Sequence, residues 1–248
     1  MWRPLFPPAL VVLLTLPGSA QAPAFTADQL IAKHLEARGG LAKLRAIHSL
    51  RITSRVGQAE IPSVSEWKRP GSYRQTVQVQ GLEWIQAFDG KAGWGINPFS
   101  GYGGFKEPQP LSPEDERAVE LSADLDGPLV DWKAKGHKVE YLGEEDVDGG
   151  QAYKLKVSLK DGDEITYFLD ADTFLSIKEI TRRVIRGTDL VSETTLGNYE
   201  ATGGVYFPRL LQEGEKGSDN KNTLTVDKVE INPTLSDDRF TIPAKKAK

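Results

Sequence analysis

The stretch from Ser65 to Phe99, SEWKRPGSYRQTVQVQGLEWIQAFDGKAGWGINPF, carries the reading of the whole chain. It falls into four short runs rich in β-branched and aromatic residues. Pro70-Gly71, Gly81 and Asp89-Gly90 separate the runs, and Pro98 ends the last. Side chains alternate across a strand, so positions two apart share a face. Sorted in this way, one face receives Trp67 and Arg69, then Tyr73, Val77 and Val79, then Leu82, Trp84 and Phe88, then Trp94 and Ile96. The other receives Glu66, Lys68, Arg74, Thr76, Gln78, Gln80, Glu83 and Lys91. The pattern predicts an antiparallel meander with one wet face and one aromatic face holding a single arginine. A broad apolar face has to be covered, either by the protein's own helices or by an apolar ligand.

Before this meander, Thr26 and Gln29 form a capping box, which predicts a helix from about Ala27 to Arg38. Leu30, Ile31 and Leu35 share its buried side, and Gly39-Gly40 ends it. A second helical piece runs from Leu41 to Ile47, and a first strand from Leu50 to Val56. After the meander, Pro98 to Pro110 reads as a Gly/Pro-rich loop carrying Phe99, Tyr102 and Phe105. Those rings suit a flap over a pocket; the other reading is an ordered loop that fills the core edge. Ser112-Pro113-Glu114-Asp115 starts a helix that reaches about Leu125. A short helix with Leu129, Val130 and Trp132 is expected next, ending at Gly136.

From Lys138 onward the chain reads as strand: 138–142, 152–160, 164–170, 174–183, 190–199, 205–213 and 223–231. A series of about a dozen antiparallel strands has to curl or split. The expected fold class is therefore mainly β with helices (α+β): a curved antiparallel half-open barrel with a helical lid on its concave side. Trp84, Phe88 and Trp94 are expected inside the concavity, with Trp67 and Tyr73 near its mouth.

The chain has 248 residues, 39% hydrophobic and 27% charged, enough for one domain with a real core. A net charge of −4 argues against nucleic acid as a partner. Residues 1–20 read as a secretory signal: Arg3, an apolar run from Ala9 to Leu16, and cleavage near Ala20 after Gly18-Ser19. A single domain over 25–243 and a basic tail over 244–248 complete the expected layout. There is no cysteine, so neither disulfides nor a lipidated cysteine enter the reading. The chain is expected to be periplasmic, soluble after export, not itself lipidated, and monomeric.

Familiar catalytic motifs are missing. There is no G-x-S-x-G elbow, H-E-x-x-H pair, phosphate loop or dinucleotide fingerprint. His34, His48 and His137 are scattered, with His34 on a helix and His137 after a helix-ending glycine, positions where a histidine is often solvated or capping. The acidic clusters around Glu144-Glu145-Asp146 and Asp161-Asp163-Glu164 lie at predicted hairpins, where Asp and Gly are turn formers. No catalytic residue, metal ligand or cofactor is assigned.

Two segments of the opening stretch resemble a known family. Lys68-Arg69-Pro70 followed by Tyr73, and Asp89-Gly90-Lys91 with Trp94 and Asn97-Pro98-Phe99, resemble the KRP and DGK-x-x-W-x-x-NPF segments of the LolA-like periplasmic lipoprotein carriers. Fainter support comes from the segment Asp170 to Leu175. The resemblance implies a half-barrel that holds a lipid or acylated lipoprotein, with inner- or outer-membrane proteins as further partners. It implies a lid latch at Arg69 and a lipid cavity lined by Trp67, Tyr73, Val77, Leu82, Trp84, Phe88, Trp94 and Ile96. This chain departs from the carriers in its length, in its Gly/Pro-rich flap, and in its polar inward positions Ser54, Gln75 and Gln86. An envelope sensor or scaffold on the same fold, and an enzyme acting on an envelope lipid or glycan, stay open as alternatives.

Overall fold

The computed structural model describes residues 25–99, 104–185 and 187–244. The expected signal (1–20), Tyr102 of the candidate flap, and Lys245, Lys246 and Lys248 of the tail lie outside these residues. Two helices open the described chain, α1 (Ala27–Ala37) and α2 (Leu41–Arg45). The capping box at Thr26 forms as expected: the Gln29 backbone N–H donates to the Thr26 hydroxyl, and the Thr26 N–H to the Gln29 side chain. Gly39 then takes a left-handed φ of +115°. A Cβ there would sit 2.2 Å from the Gly204 carbonyl oxygen, so the turn requires glycine.

Six strands follow: β1 (Ser49–Val56), β2 (Ile61–Lys68), β3 (Ser72–Val79), β4 (Leu82–Phe88), β5 (Gly93–Asn97) and β6 (Phe105–Pro110). The segment expected as a loop to Pro110 is in part an edge strand, because β6 pairs with β5. Helix α3 (Pro113–Ser122) begins as its sequence predicts, with the Ser112 hydroxyl accepting from the Asp115 N–H. The short helix expected around Leu129–Trp132 does not form; residues 125–136 are a series of turns. Gly127 and Gly136 both have positive φ, and so does Asp131, which interrupts any helical run.

The second half supplies β7 (Lys138–Val147), β8 (Gly150–Ser158), β9 (Glu164–Asp170), β10 (Ser176–Ile185) and β11 (Thr188–Gly197). A small hairpin of β12 (Glu200–Thr202) and β13 (Val205–Phe207) precedes β14 (Leu210–Glu215) and β15 (Asn222–Ile231). The single strand expected over 205–213 is thus cut in two at Pro208, which has no N–H to continue a ladder.

Thirteen strands form one antiparallel sheet in the order β6-β5-β4-β3-β2-β1-β15-β14-β11-β10-β9-β8-β7. Each half of the chain is a meander, and β15 closes the molecule by pairing beside β1 at its centre. The two edges, β6 and β7, are consecutive in sequence but lie at opposite ends of the sheet. In a flat sheet they would stand about 58 Å apart, at ~4.8 Å per strand. The connection between them, residues 111–137, has to travel across one face, and it carries α3 with it.

All three helices bury apolar side chains against that same face. Leu30 and Ile31 of α1 meet Leu155, Val157, Ile165, Tyr167 and Leu169. Leu44 of α2, with Ile47, meets Leu50, Val226, Val229 and the hairpin residues Val205 and Phe207. Val119 of α3, with Ala123, meets Tyr73 and Phe88. The sheet stays open, with one face largely occupied by helices, which is the half-open barrel the alternation predicts.

Candidate functional site

Pairing registers assign the faces of the meander. Trp67 pairs with Tyr73, Tyr73 with Phe88, and Val77 with Trp84. These side chains, with Leu82 and Val79, share the inner face, as do the polar Ser54, Gln75 and Gln86. Trp94 and Ile96 do not. Phe88 pairs with Gly93, and Trp94 with Ala87, so the β4–β5 turn reverses the parity of the count. Trp94 and Ile96 lie on the outer face with Ile85 and Ala87. Their expected place in the cavity is corrected accordingly.

The inner positions of β5 fall instead to Gly93 and Gly95. A Cβ on Gly93 would meet Leu111 and Glu116, and one on Gly95 would meet Leu111 and the Ile85 carbonyl. The Gly93 N–H donates to the Glu116 carboxylate at 2.8 Å. The two glycines leave the room into which the start of α3 settles.

Phe88 lies deep as expected, but Tyr73, expected at the mouth, is equally deep, and Trp84, expected inside, is only half-buried. Tyr73 and Phe88 are buried beneath α3, and the Trp67 indole N–H donates to the Ser122 carbonyl at the end of that helix. Trp84 and Val77 are half-buried and Leu82 is exposed, so they form the outer part of the inner face. Of the candidate flap, Phe99 is exposed, and Phe105 begins β6 opposite Asn97.

Trp94, on the outer face, is covered by the C-terminal segment. Its indole N–H donates to the Phe240 carbonyl at 2.6 Å. Next to it, Glu66 is 1% exposed and accepts from Arg51 at 2.8 Å and from Arg239 at 2.6 Å. Residues 235–240 strap the outer face, with Lys68 donating to the Leu235 carbonyl.

Arg69 stands where three covering pieces meet. Its Nη1 and Nη2 donate in parallel to the two carboxylate oxygens of Asp126, both at 2.6 Å. Its Nε donates to the Ile47 carbonyl at 2.7 Å, and Nη2 reaches the Leu44 carbonyl at 3.4 Å. These acceptors are the Ile47 carbonyl just past α2, the Leu44 carbonyl of its last turn, which also accepts from the Ile47 N–H, and a carboxylate in the turn after α3. Burial works against ionisation of Asp126, but the Arg69 hydrogen bonds and charge outweigh it and hold its pKa below the ordinary carboxylate value. The same hydrogen bonds raise the Arg69 pKa.

Asp126 is also part of a cavity wall. A cavity of about 280 Å³ lies on the inner face, between α1, the turn Asp126–Leu129 and strands β9 to β11. Its apolar walls include Leu35, Pro128, Leu129, Leu196 and Pro208. Its polar lining is His34, Arg38, Asp126, Tyr167, Ser176, Glu179 and Tyr199. None of the meander residues assigned to the lipid cavity lines it.

His34, expected to be solvated or capping, is 5% exposed. Burial, reinforced by the Arg38 charge, lowers its pKa to about 4, so the ring is neutral and donates from Nδ1 to the Phe174 carbonyl at 2.9 Å. Glu179 accepts from the Ser176 hydroxyl at 3.2 Å, and burial pushes its pKa above the ordinary Glu value. The Tyr199 hydroxyl donates to the Ser176 carbonyl at 2.7 Å. Sequence reading missed Glu179, Tyr167, Tyr199, Arg38 and Asp126. A signal was present: Tyr153, Leu155 and Val157 set the inner phase of β8, and through the register with β9 and β10 that phase leads to Tyr167 and Glu179. Among the described residues, no group of three or more His, Cys, Asp or Glu side chains converges as a metal site.

Among solved structures, a LolA superfamily protein from Nitrosomonas europaea aligns with 88% of this chain and 98% of its own, with a TM-score of 0.58 and 14% sequence identity. A DUF1329 family protein from Desulfovibrio piger covers 86% of this chain and 96% of its own, with a TM-score of 0.47 and 14% identity. The sequence matches no protein-family model and no curated protein. The chain has the LolA-like fold that its KRP and DGK segments suggest.

Proposed function

We propose that this chain is a periplasmic binding protein that carries a lipid or the acyl chains of a lipoprotein against its inner face, without catalysing a reaction. One observation carries the reading: the bidentate Arg69–Asp126 pair ties the end of α2 and the turn after α3 to the meander, at the wall of the inner-face cavity. A binding protein that loads and releases cargo needs closed and open states of similar free energy. Burying acyl methylenes stabilises the loaded state by about 0.8 kcal/mol each. A charged hydrogen bond contributes about 1.5–3 kcal/mol, less where water reaches it. A few methylenes thus offset the latch, and ligand entry and latch opening compete on equal terms.

Removing the latch biases the lid toward its open form, so cargo no longer competes with it and is held more tightly. Arg69→Leu is expected to fold and load like the wild type, yet to transfer a fluorescent acyl ligand to acceptor vesicles about tenfold more slowly. Unchanged transfer would make Arg69 a structural residue. A second reading, an enzyme acting on an envelope lipid or glycan, is favoured by Glu179 and His34 lining one cavity. Native mass spectrometry of protein purified from its own periplasm separates the two: a carrier yields an intact lipid, an enzyme a processed one.

A further inference from the structure

The inner-face cavity is lined by donors with no protein partner among the described residues. Tyr167 is 7% exposed and lines the cavity, yet its hydroxyl makes no hydrogen bond among the described residues. The Arg38 guanidinium lines the same space with no hydrogen bond and no ion pair to a described residue. The Glu179 carboxyl has only the Ser176 hydroxyl as partner, and its burial favours the protonated, donating form. Of the acceptors nearby, His34 Nε2 and one Glu179 oxygen have no partner among the described residues, and the others are engaged. Both Asp126 oxygens are held by Arg69, and the Ser176 carbonyl by Tyr199. Arg38 is half-buried and water reaches both donors, so a ligand that displaces this water has to replace its hydrogen bonds.

We infer that this cavity is the head-group subsite of the inner face, taking the anionic oxygens of a carboxylate or phosphate on a single-chain amphiphile, with Arg38 supplying the charge and Tyr167 a hydrogen bond. The inference rests on the binding-protein reading above and names its ligand more closely. A cationic head would meet Arg38 as a like charge. A neutral apolar group would leave the guanidinium and the phenol desolvated and unpaired. An anion with two or three oxygens meets the planar fork of the guanidinium and the phenol together. The volume of about 280 Å³ suits a compact head with its first methylenes. Leu35, Leu129 and Leu196 provide the apolar wall for those methylenes.

The test is calorimetric titration of the folded protein with decanoate, decyl phosphate, decanol and inorganic phosphate, for the wild type, Arg38→Met, Arg38→Lys and Tyr167→Phe. Decanoate and decyl phosphate are expected to bind about tenfold or more tightly than decanol, and inorganic phosphate far more weakly than decyl phosphate. Arg38→Met should remove the preference by weakening both anions and tightening decanol, Arg38→Lys should retain part of it, and Tyr167→Phe should weaken both anions several-fold. Equal binding of decanol and decanoate would overturn the head-group subsite and leave the carrier reading standing. Inorganic phosphate binding as tightly as decyl phosphate would make the cavity a small-anion site instead. Binding of none of the alkyl ligands would overturn both readings.

Discussion

A single buried ring gives this protein a defined acid sensitivity. His34 is neutral in the fold because burial and Arg38 depress its pKa to about 4, whereas an unfolded histidine titrates near 6.5. Below pH 6.5 the unfolded chain takes up a proton that the fold refuses. The contribution is therefore fully present above pH 6.5 and is lost as the pH falls toward about 4. About 2.5 pH units correspond to roughly 3 kcal/mol. Urea midpoints measured between pH 7 and pH 4 should fall accordingly for the wild type and much less for His34→Gln. Equal slopes in the two proteins would assign the acid sensitivity to other groups. Glu66, on the outer face, carries a different risk. Its carboxylate is 1% exposed and neutralises Arg51 and Arg239 together. Glu66→Ala leaves Arg239 and Arg51 without their shared buried carboxylate, Arg51 keeping only Glu230 at 3.9 Å, and because both guanidinium groups are partly exposed a loss of about 1–3 kcal/mol is expected in denaturant unfolding. A loss below 1 kcal/mol would mean that water replaces the carboxylate without strain.

At the scale of elements, α3 depends on what β5 lacks. Gly93 and Gly95 occupy inner positions, and the space above them is filled by Leu111 and Glu116. A side chain at Gly95 would meet the Ile85 carbonyl at 2.7 Å and Leu111 at 3.2 Å. Gly95→Val is expected to cost about 1–3 kcal/mol, as overpacking does. It should also loosen α3, read as faster proteolytic cleavage within residues 111–123 at native pH. Cleavage unchanged from wild type would show that the helix is held by Tyr73, Phe88 and the Trp67–Ser122 hydrogen bond alone. The same glycines explain why the aromatic count of the meander fails at its last strand. The eye follows Trp94 and Ile96 as the apolar pair, while the inner face needs the small pair.

Across the whole molecule, stability should be graded along the sheet. β1 and β15 are paired on both sides and join the two meanders, so opening them requires separating the halves. β6 and β7 have one neighbour each and are exposed to pairing by other chains. β7 carries Glu140, Glu144, Glu145 and Asp146, which make such pairing unfavourable. Native-state hydrogen exchange should therefore be slowest at Arg51–Thr53 and Lys228–Glu230 and fastest at the outer edges of β6 and β7. Slow exchange along the β6 edge would indicate that another chain or segment pairs with it.

Much of this fold is written in local chemistry. Capping boxes, turn residues and period-two alternation are nearest-neighbour effects, so α1, the start of α3, most strands and the open antiparallel architecture could be read from the chain. So could the exceptional character of Arg69, a cation in phase with an aromatic face. Three things required the tertiary structure. Register across the β4–β5 turn decided the face of Trp94, because one residue of loop length inverts every side chain that follows. The partners of Arg69 come from α2 and from a turn 57 residues downstream, and no local rule selects Asp126 over its neighbours. The cavity of Arg38, Tyr167 and Glu179 assembles from one helix and two strands whose side chains look unremarkable one at a time. Their character comes from meeting in one cavity, and that cavity is a property of the packed molecule alone.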